Sequence, residues 1–386
     1  MRLHGDWLQA EGLQSVLGLL SGAGHQALLV GGCVRNAALL QPVSDIDIAT
    51  DARPERVMEL AQGAGLRAIP TGIEHGTVTV IAAQVAHEVT TFRRDVETFG
   101  RHATVAFSDK VAEDAARRDF TMNALYATAD GTVLDPLGEG LADLAAGRLR
   151  FVGDADQRIR EDYLRILRFF RFTVWYGAPK LGIDAEGLAA AAANCAEIET
   201  LSRERIGHEM RRLLAAPNPA PAVAAMQASG VLAQVLPGAD ARALAALVHL
   251  EGEMGLGADP LRRLAVLGGA NLAERLRLSR SEAAQLERLA QALAEPGPES
   301  ALGYRFGAAT AQDALLLRAA FAGQEIDLSG WNRVEFGAAQ RFPLAAADLM
   351  PALQGPALGE RLRTLEARWI ASEFSLSRED LLKSGG

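Results

Sequence analysis

Short apolar runs with period-two spacing dominate the first third of the chain. "ALLV" at 27–30, "DIDIA" at 45–49, "GTVTVIA" at 76–82 and "HEVTTFR" at 87–93 read as strands. Between them, "PERVMELAQGAG" at 54–65 starts on proline and stops on glycine, as a helix should. From about Asp156 the period changes. "DQRIREDYLRILRFFRFTVWYG" is one long amphipathic helix pattern, and helical segments follow it, broken at "APNPAP" 216–221, "EPGPE" 295–299 and "PALQGPALG" 351–359. The expected organisation is an α/β head over 1–150, a helical neck over 151–215, and a helical body and tail over 216–386. No repeat or linker-like tract separates them, so the helical part is expected to pack onto the head.

Composition narrows the function classes. With 386 residues, 49% of them apolar, the chain can bury a large core. No stretch has the length and apolarity of a membrane span, and "MRLHGDWLQAEG" lacks the apolar core of a signal peptide, so a cytoplasmic protein without membrane contact is expected. Cys33 and Cys195 lack metal-site or disulfide-framework spacing and read as small buried hydrophobes. A formal net charge of −9 excludes a surface coated in basic residues, so any polyanion site must be local. Lysine occurs only at Lys110, Lys180 and Lys383, and arginine carries nearly all the positive charge.

The candidate chemistry starts in "LLVGGCVRNAALLQPVSDIDIAT", 28–50. In a strand, Asp45 and Asp47 share a face while Ile46 and Ile48 enter the opposite, apolar layer. Two like charges so close stay ionised together only with water or a cation between them, and Mg²⁺ binds through one or two carboxylates plus substrate phosphates. A solvated strand edge would show the same D-x-D. The Gly31-Gly32 pair before it lets backbone N–H groups approach a phosphate chain, with Arg35 one turn into the following helix; an ordinary strand-to-helix turn would need the same glycines.

"GG-x-V-R" followed by "D-x-D" resembles the signature of the DNA polymerase β nucleotidyltransferase superfamily, and most closely its tRNA nucleotidyltransferase/poly(A) polymerase branch. That branch usually has an aspartate where Asn36 stands. The resemblance implies an α/β head of the polymerase β type followed by an all-α neck, body and tail. It also implies two Mg²⁺ ions on Asp45 and Asp47, and Glu88 as a third catalytic carboxylate. The loop from Arg93 to about Ser108 resembles the family's flexible loop, with Phe99 where relatives carry an acidic residue. "EDAARRDFTMNALY" resembles the R-R-D-F-T-x-N-A element, which assigns Arg118 to the incoming nucleotide, and Asp119 and Asn123 to the ribose and pocket. Independently, Asp119 reads as a helix N-cap that would leave Arg118 at a helix start. "DPLGEGLADLAAGRLRFVG", 135–153, resembles the family's turn out of the head and is assigned a hinge-like role.

In "RIREDYLRILRFFRF", 158–172, helical spacing puts Asp162, Arg165 and Arg168 or Phe169 along one face, while Leu164, Leu167 and Phe170 pack inward. A carboxylate and a guanidinium one turn apart can read the amine and ring acceptors of C or A; a solvated ion pair would use the same spacing. The resembled E-D-x-x-R-x-x-R element is a protein template for CTP and then ATP, mapping onto Asp162, Arg165 and Arg168, with Arg171 a further nucleotide contact. A good bidentate base contact discriminates by about 1–3 kcal/mol, so two such residues suffice against UTP and GTP. "SRERIGHEMRRLL", 202–214, offers arginines to RNA phosphate or simply to solvent. His208 and His249 are isolated and no His-Asp pair occurs, so the ligand set of a metal-dependent phosphohydrolase is missing.

The function implied is addition of C, C and A to the tRNA 3′ end at the acceptor stem, with CTP and ATP as substrates. Poly(A) synthesis, CC-only or A-only addition, and a catalytically inactive RNA-binding module are the alternatives. The short C-terminus without basic character, "SLSREDLLKSGG", disfavours the first, and retention of both aspartates, both glycines and both nucleotide arginines disfavours the last. The pattern sets no oligomeric state.

Overall fold

The computed structural model describes residues 1–99, 102–350 and 352–383. Met1–Val235 and Leu236–Gly386 form two compact units. Among the described residues no helix is long and apolar enough to cross a membrane.

The first unit opens with α1 (Glu11–Gly22), whose Leu13, Val16, Leu17 and Leu20 recur at helical spacing and are buried where the helix lies on the sheet. The chain continues through β1 (Ala27–Val30), α2 (Gly32–Ala38), β2 (Asp47–Thr50), α3 (Pro54–Gly63), β3 (Arg67–Gly72), β4 (Thr77–Ala82) and β5 (Val85–Thr91). Next come β6 (Arg93–Phe99), β7 (His102–Phe107), α4 (Val111–Ala116), β8 (Tyr126–Ala127), β9 (Val133–Leu134) and α5 (Gly140–Ala146). One sheet runs in the order β3-β4-β5-β2-β1-β8-β9, with β2 and β5 parallel and its other neighbours antiparallel. Leu28, Val30, Ala49, Phe92, Ala115 and Tyr126 gather into one core cluster against it.

Two expectations change here. The segment expected as a loop from Arg93 to Ser108 is a two-stranded antiparallel ribbon, β6 on β7. Gly100 and Arg101 of that segment lie outside the described residues. The neck pattern is two helices, α6 (Ala155–Glu161) and α7 (Leu164–Tyr176), because Asp162 leaves the helical region at φ −153°, ψ 106°. Its carboxylate accepts from the Leu164 N–H at 3.1 Å and thereby starts the second helix. The unit ends with α8 (Ala185–Ala193), α9 (Arg203–Leu214), α10 (Ala220–Ala228) and α11 (Val231–Val235).

The second unit is helical throughout its described residues: α12 (Leu244–Glu253), α13 (Pro260–Leu267), α14 (Leu272–Arg275), α15 (Arg280–Ala294), α16 (Glu299–Phe306), α17 (Ala308–Ala322), α18 (Leu328–Ala338), α19 (Gly355–Ala371) and α20 (Arg378–Lys383). Buried Glu251 accepts from both Arg262 and Arg263, each at 2.8 Å, which ties α12 to α13. Helices α16 and α18 cross backbone to backbone at Gly303 and Gly337. A Cβ on Gly337 would lie 1.8 Å from the Ser300 carbonyl oxygen. Gly337→Ala is therefore expected to lower stability by about 3 kcal/mol, at the upper end of overpacking costs, measured as a shift in the urea midpoint.

Candidate active site

Strand β1 lasts only four residues because Gly31, at φ 72°, turns the chain into α2. The turn is crowded as well as left-handed: a Cβ on Gly31 would meet Arg118 Nη1 at 3.3 Å. The brevity of β1 limits β2. Asp47 pairs with Val30, the last residue of β1, and with Glu88 of β5, so Asp45 has no strand partner and lies ahead of β2 rather than within it. Asp45 and Asp47 nevertheless line one cavity of about 330 Å³. Glu88 stands level with Asp47 on the next strand and does not line that cavity.

Burial raises the pKa of the Asp47 carboxyl, Glu88 and Asp45 push it further up, and Arg118 works against them. Desolvation is the largest of these influences, and the neighbouring carboxylates add to it. Hard carboxylate oxygens in such a place suit a divalent cation, and Asp45 and Asp47 would hold it. Among the described residues no three acidic, histidine or cysteine side chains form a complete ligand cluster, so the pair needs ligands from substrate as well. Cys33 lines the same wall, buried, its thiol pKa raised by that burial. Cys195 is half-buried, less enclosed than expected, because it opens a surface 3₁₀ turn.

The opposite wall is basic. Arg118 follows the C-terminal end of α4, not the start of a helix, and Asp119 caps no α-helix because only a 3₁₀ turn, Thr121–Asn123, follows it. Arg118 is held instead by Asp114, at 3.1 Å, and by the Tyr126 hydroxyl, at 3.0 Å. Burial opposes the Arg118 charge, but those two partners outweigh it and the pKa rises. Asp114 is itself 1% exposed, also binds Arg117 at 2.8 Å, and accepts from the Tyr126 hydroxyl at 2.6 Å. Asp119 takes a different position: it accepts from Asn123 Nδ2 at 2.9 Å and from Arg168 Nε at 2.7 Å. Asn123 in turn accepts from Arg35 Nη1 at 2.5 Å. A continuous polar chain thus runs from α2 to α7, and continues to α9 where buried Glu209 accepts from Arg171 Nε at 2.5 Å.

Gly31, Gly32, Arg35, Arg118, Asp119, Asn123, Arg168 and Arg171 all line the cavity that Asp45 and Asp47 border. Asp162 and Arg165 do not. Asp162 accepts from Arg205 Nη2 at 2.6 Å, and Arg165 donates to Glu161 at 2.6 Å and to the Arg117 carbonyl at 3.2 Å. The break at Asp162 rotates it off the face on which one continuous helix would put it with Arg168. Phe169 leaves that face too, fully buried against Phe151 and Phe170. Sequence reasoning missed Phe172, Tyr176 and Arg212, which complete the lining. Arg168, Phe172 and Tyr176 recur every fourth residue along α7, and that spacing was the available signal for the first two.

Although burial disfavours the charged form, Arg168 and the Asn123 amide hold the Asp119 carboxyl at about 2. Its folded value lies below the ordinary carboxylate value, so its contribution to stability is complete above about pH 4 and is lost as pH falls toward about 2. Urea midpoints measured across that window should fall with acid in the natural chain and fall less steeply in Asp119→Asn.

Residues 27–150 match the poly A polymerase head domain, and 180–242 match the probable RNA and SrmB-binding site of polymerase A. Over 211 residues, 54% of this chain and 48% of the relative, the sequence is 43% identical to the mitochondrial CCA tRNA nucleotidyltransferase 1 of Mus musculus. Over 230 residues, 58% of this chain and 55% of the relative, it is 41% identical to the CCA-adding enzyme of Geobacillus thermodenitrificans. The chain spans about half the length of the curated relatives it matches. The solved Bacillus stearothermophilus CCA-adding enzyme in complex with CTP superimposes with a TM-score of 0.68 at 27% identity, covering 94% of this chain and 93% of that one. The Thermotoga maritima CCA-adding enzyme complexed with tRNA shares the fold, with a TM-score of 0.70 at 16% identity, over 99% of this chain and 98% of that one. The α/β portion of this chain, residues 27–150, is thus similar to the poly A polymerase head domain, and a stretch similar to the polymerase A RNA-binding site follows it.

Proposed function

We propose that this chain adds C, C and A to the 3′ end of tRNA, taking CTP and ATP as substrates and choosing the bases with its own side chains. The observation that carries this reading is one cavity with Asp45 and Asp47 on one wall and Arg35, Arg118, Arg168 and Arg171 around the other. A nucleoside triphosphate needs that division, cations for its phosphates and an acidic edge where its α-phosphate reacts. The alignment with CCA-adding enzymes over 211 to 230 residues supports the same reading.

In the reaction, the tRNA 3′-hydroxyl attacks the α-phosphate of the bound nucleotide and pyrophosphate leaves. Arg35 and Arg118 hold the triphosphate, and Asp119 and Asn123 border the ribose. Mg²⁺, two ions held by Asp45 and Asp47 with Glu88 alongside, would activate the attacking hydroxyl and neutralise the departing pyrophosphate. Asp162 and Arg165 choose the base with Arg168 and Arg171 beside them; to do so they exchange Arg205 and Glu161 for a base edge. Residues 151–215 act as the nucleotide-selecting neck, and the helices after them hold tRNA. The free cysteines Cys33 and Cys195 suit a reducing cytoplasm.

The test is extension of a tRNA ending at its discriminator base, with Mg²⁺ and each nucleotide alone and mixed. Growth by three nucleotides only with CTP plus ATP is the expected result. A stop after two C, addition of A only to tRNA already ending in CC, or a long A ladder would select a different member of the same chemistry. Asp47→Ala is expected to reduce transfer at least roughly a thousandfold, the equivalent of several kcal/mol of lost charge stabilisation, while tRNA binding stays close to the natural chain's. Full activity in that variant would overturn the metal assignment.

A further inference from the structure

Arg35 is the odd one among the enclosed cations of the cavity, Arg212 being exposed. Arg118, Arg168 and Arg171 each face a carboxylate, whereas every hydrogen bond from Arg35 goes to a neutral oxygen. Its Nε and Nη2 donate to Asn36 Oδ1 at 3.1 and 2.8 Å, Nη1 donates to Asn123 Oδ1, and Nη2 also donates to the Tyr176 hydroxyl at 2.8 Å. Only 6% exposed, it cannot shed its proton, and burial draws its pKa down. A desolvated guanidinium on which the Asp119 carboxylate acts only from a distance gains from an anion in direct contact, and needs support until the anion arrives. Among its neighbours Tyr176 alone supplies both a face and an acceptor: the guanidinium carbon lies 4.0 Å from the Tyr176 ring centre, against 5.1 Å for Phe172.

We propose that Tyr176, at the C-terminal end of α7, is a positioning residue that holds the Arg35 guanidinium ready for the triphosphate. It rests on the reading of this cavity as a nucleotide site. Helix α7 then serves both ends of the nucleotide: Arg168 and Arg171 near its middle face the nucleoside, and Tyr176 at its end steadies the phosphate grip. Because the triphosphate is common to CTP and ATP, loss of Tyr176 must affect both equally.

The test has two arms on the full chain. In the first, inorganic triphosphate is titrated calorimetrically into the natural chain, Tyr176→Phe, Tyr176→Leu, Arg35→Lys, and each Tyr176 variant combined with Arg35→Lys. Tyr176→Phe keeps the ring and should weaken binding roughly three- to tenfold, the loss of one hydrogen bond to a charged group, with Tyr176→Leu weaker again. The combined variants should bind no worse than Arg35→Lys alone. Additive losses, or affinities within twofold of the natural chain in folded Tyr176→Phe, overturn the proposal. In the second arm, Tyr176→Phe should raise KM for CTP and for ATP by the same factor with a smaller change in kcat. An effect on one nucleotide only would give Tyr176 a base contact and overturn the positioning role. Should Tyr176→Leu fail to fold, the Phe series decides alone. A natural chain that binds triphosphate but extends no tRNA overturns only the wider reading of function, and one that binds no triphosphate overturns both.

Discussion

The carboxylate of Asp119 is the join on which the site depends. It is nearly buried, and its two oxygens go to different parts of the first unit: one to Asn123 beside the glycine turn, the other to Arg168 on α7. Through Asn123 it reaches Arg35; through Arg168 it reaches Glu209 and Arg171. A buried ion pair of this kind adds little net stability over an apolar contact of the same size, but removing one member leaves a desolvated charge and is strongly destabilising. Its value lies in specification. Sheet and neck are registered against each other by these directional, charge-assisted contacts, which hold the two walls of the cavity together.

That registration also explains why positive and negative charge stay apart in so small a space. The acidic wall belongs to the sheet, where the early end of β1 at Gly31 leaves Asp45 outside the strand ladder and Asp47 at its first rung. The basic wall is shared, Arg35 and Arg118 coming from the head and Arg168 and Arg171 from α7, and three guanidiniums, those of Arg35, Arg168 and Arg171, surround the ring of Phe172. An aromatic face is one of the few surfaces that can host several arginines without neutralising them. Had the basic residues met Asp45 and Asp47 directly, both sets would have been spent on each other.

Much of this was legible in the sequence, for identifiable reasons. The β-branched alternation of "GTVTVIA" and the proline and glycine bounding α3 are local signals, and local signals survived folding. The membership of Gly31, Arg35, Asp45, Asp47, Arg118 and Arg168 in one cavity was legible because their motifs were nearly complete, Asn36 being a departure that leaves those residues in place. What was not legible depended on distance along the chain. Nothing near Asp119 announces that Arg168, far ahead in sequence, will take the place of a helix N-terminus as its partner. Nothing in the periodicity of 156–177 reveals that the helix will break at Asp162, because apolar spacing continues unbroken through the interruption. Arg212 stood outside every motif assigned to the nucleotide, and only tertiary structure brings it to the cavity.

The enclosure of these arginines bears on how the protein meets a polyanion in salt solution. The chain as a whole carries a formal charge of −9, so at long range it repels nucleic acid, and dissolved ions weaken that repulsion over a Debye length of about 10 Å at 0.1 M salt. Arg35 and Arg171, at 6% and 5% exposure, sit where mobile ions scarcely enter. If the cavity takes a phosphate chain as proposed, moderate ionic strength eases its approach while leaving contacts to those two arginines nearly untouched, the reverse of the behaviour of a protein that binds through an exposed basic surface.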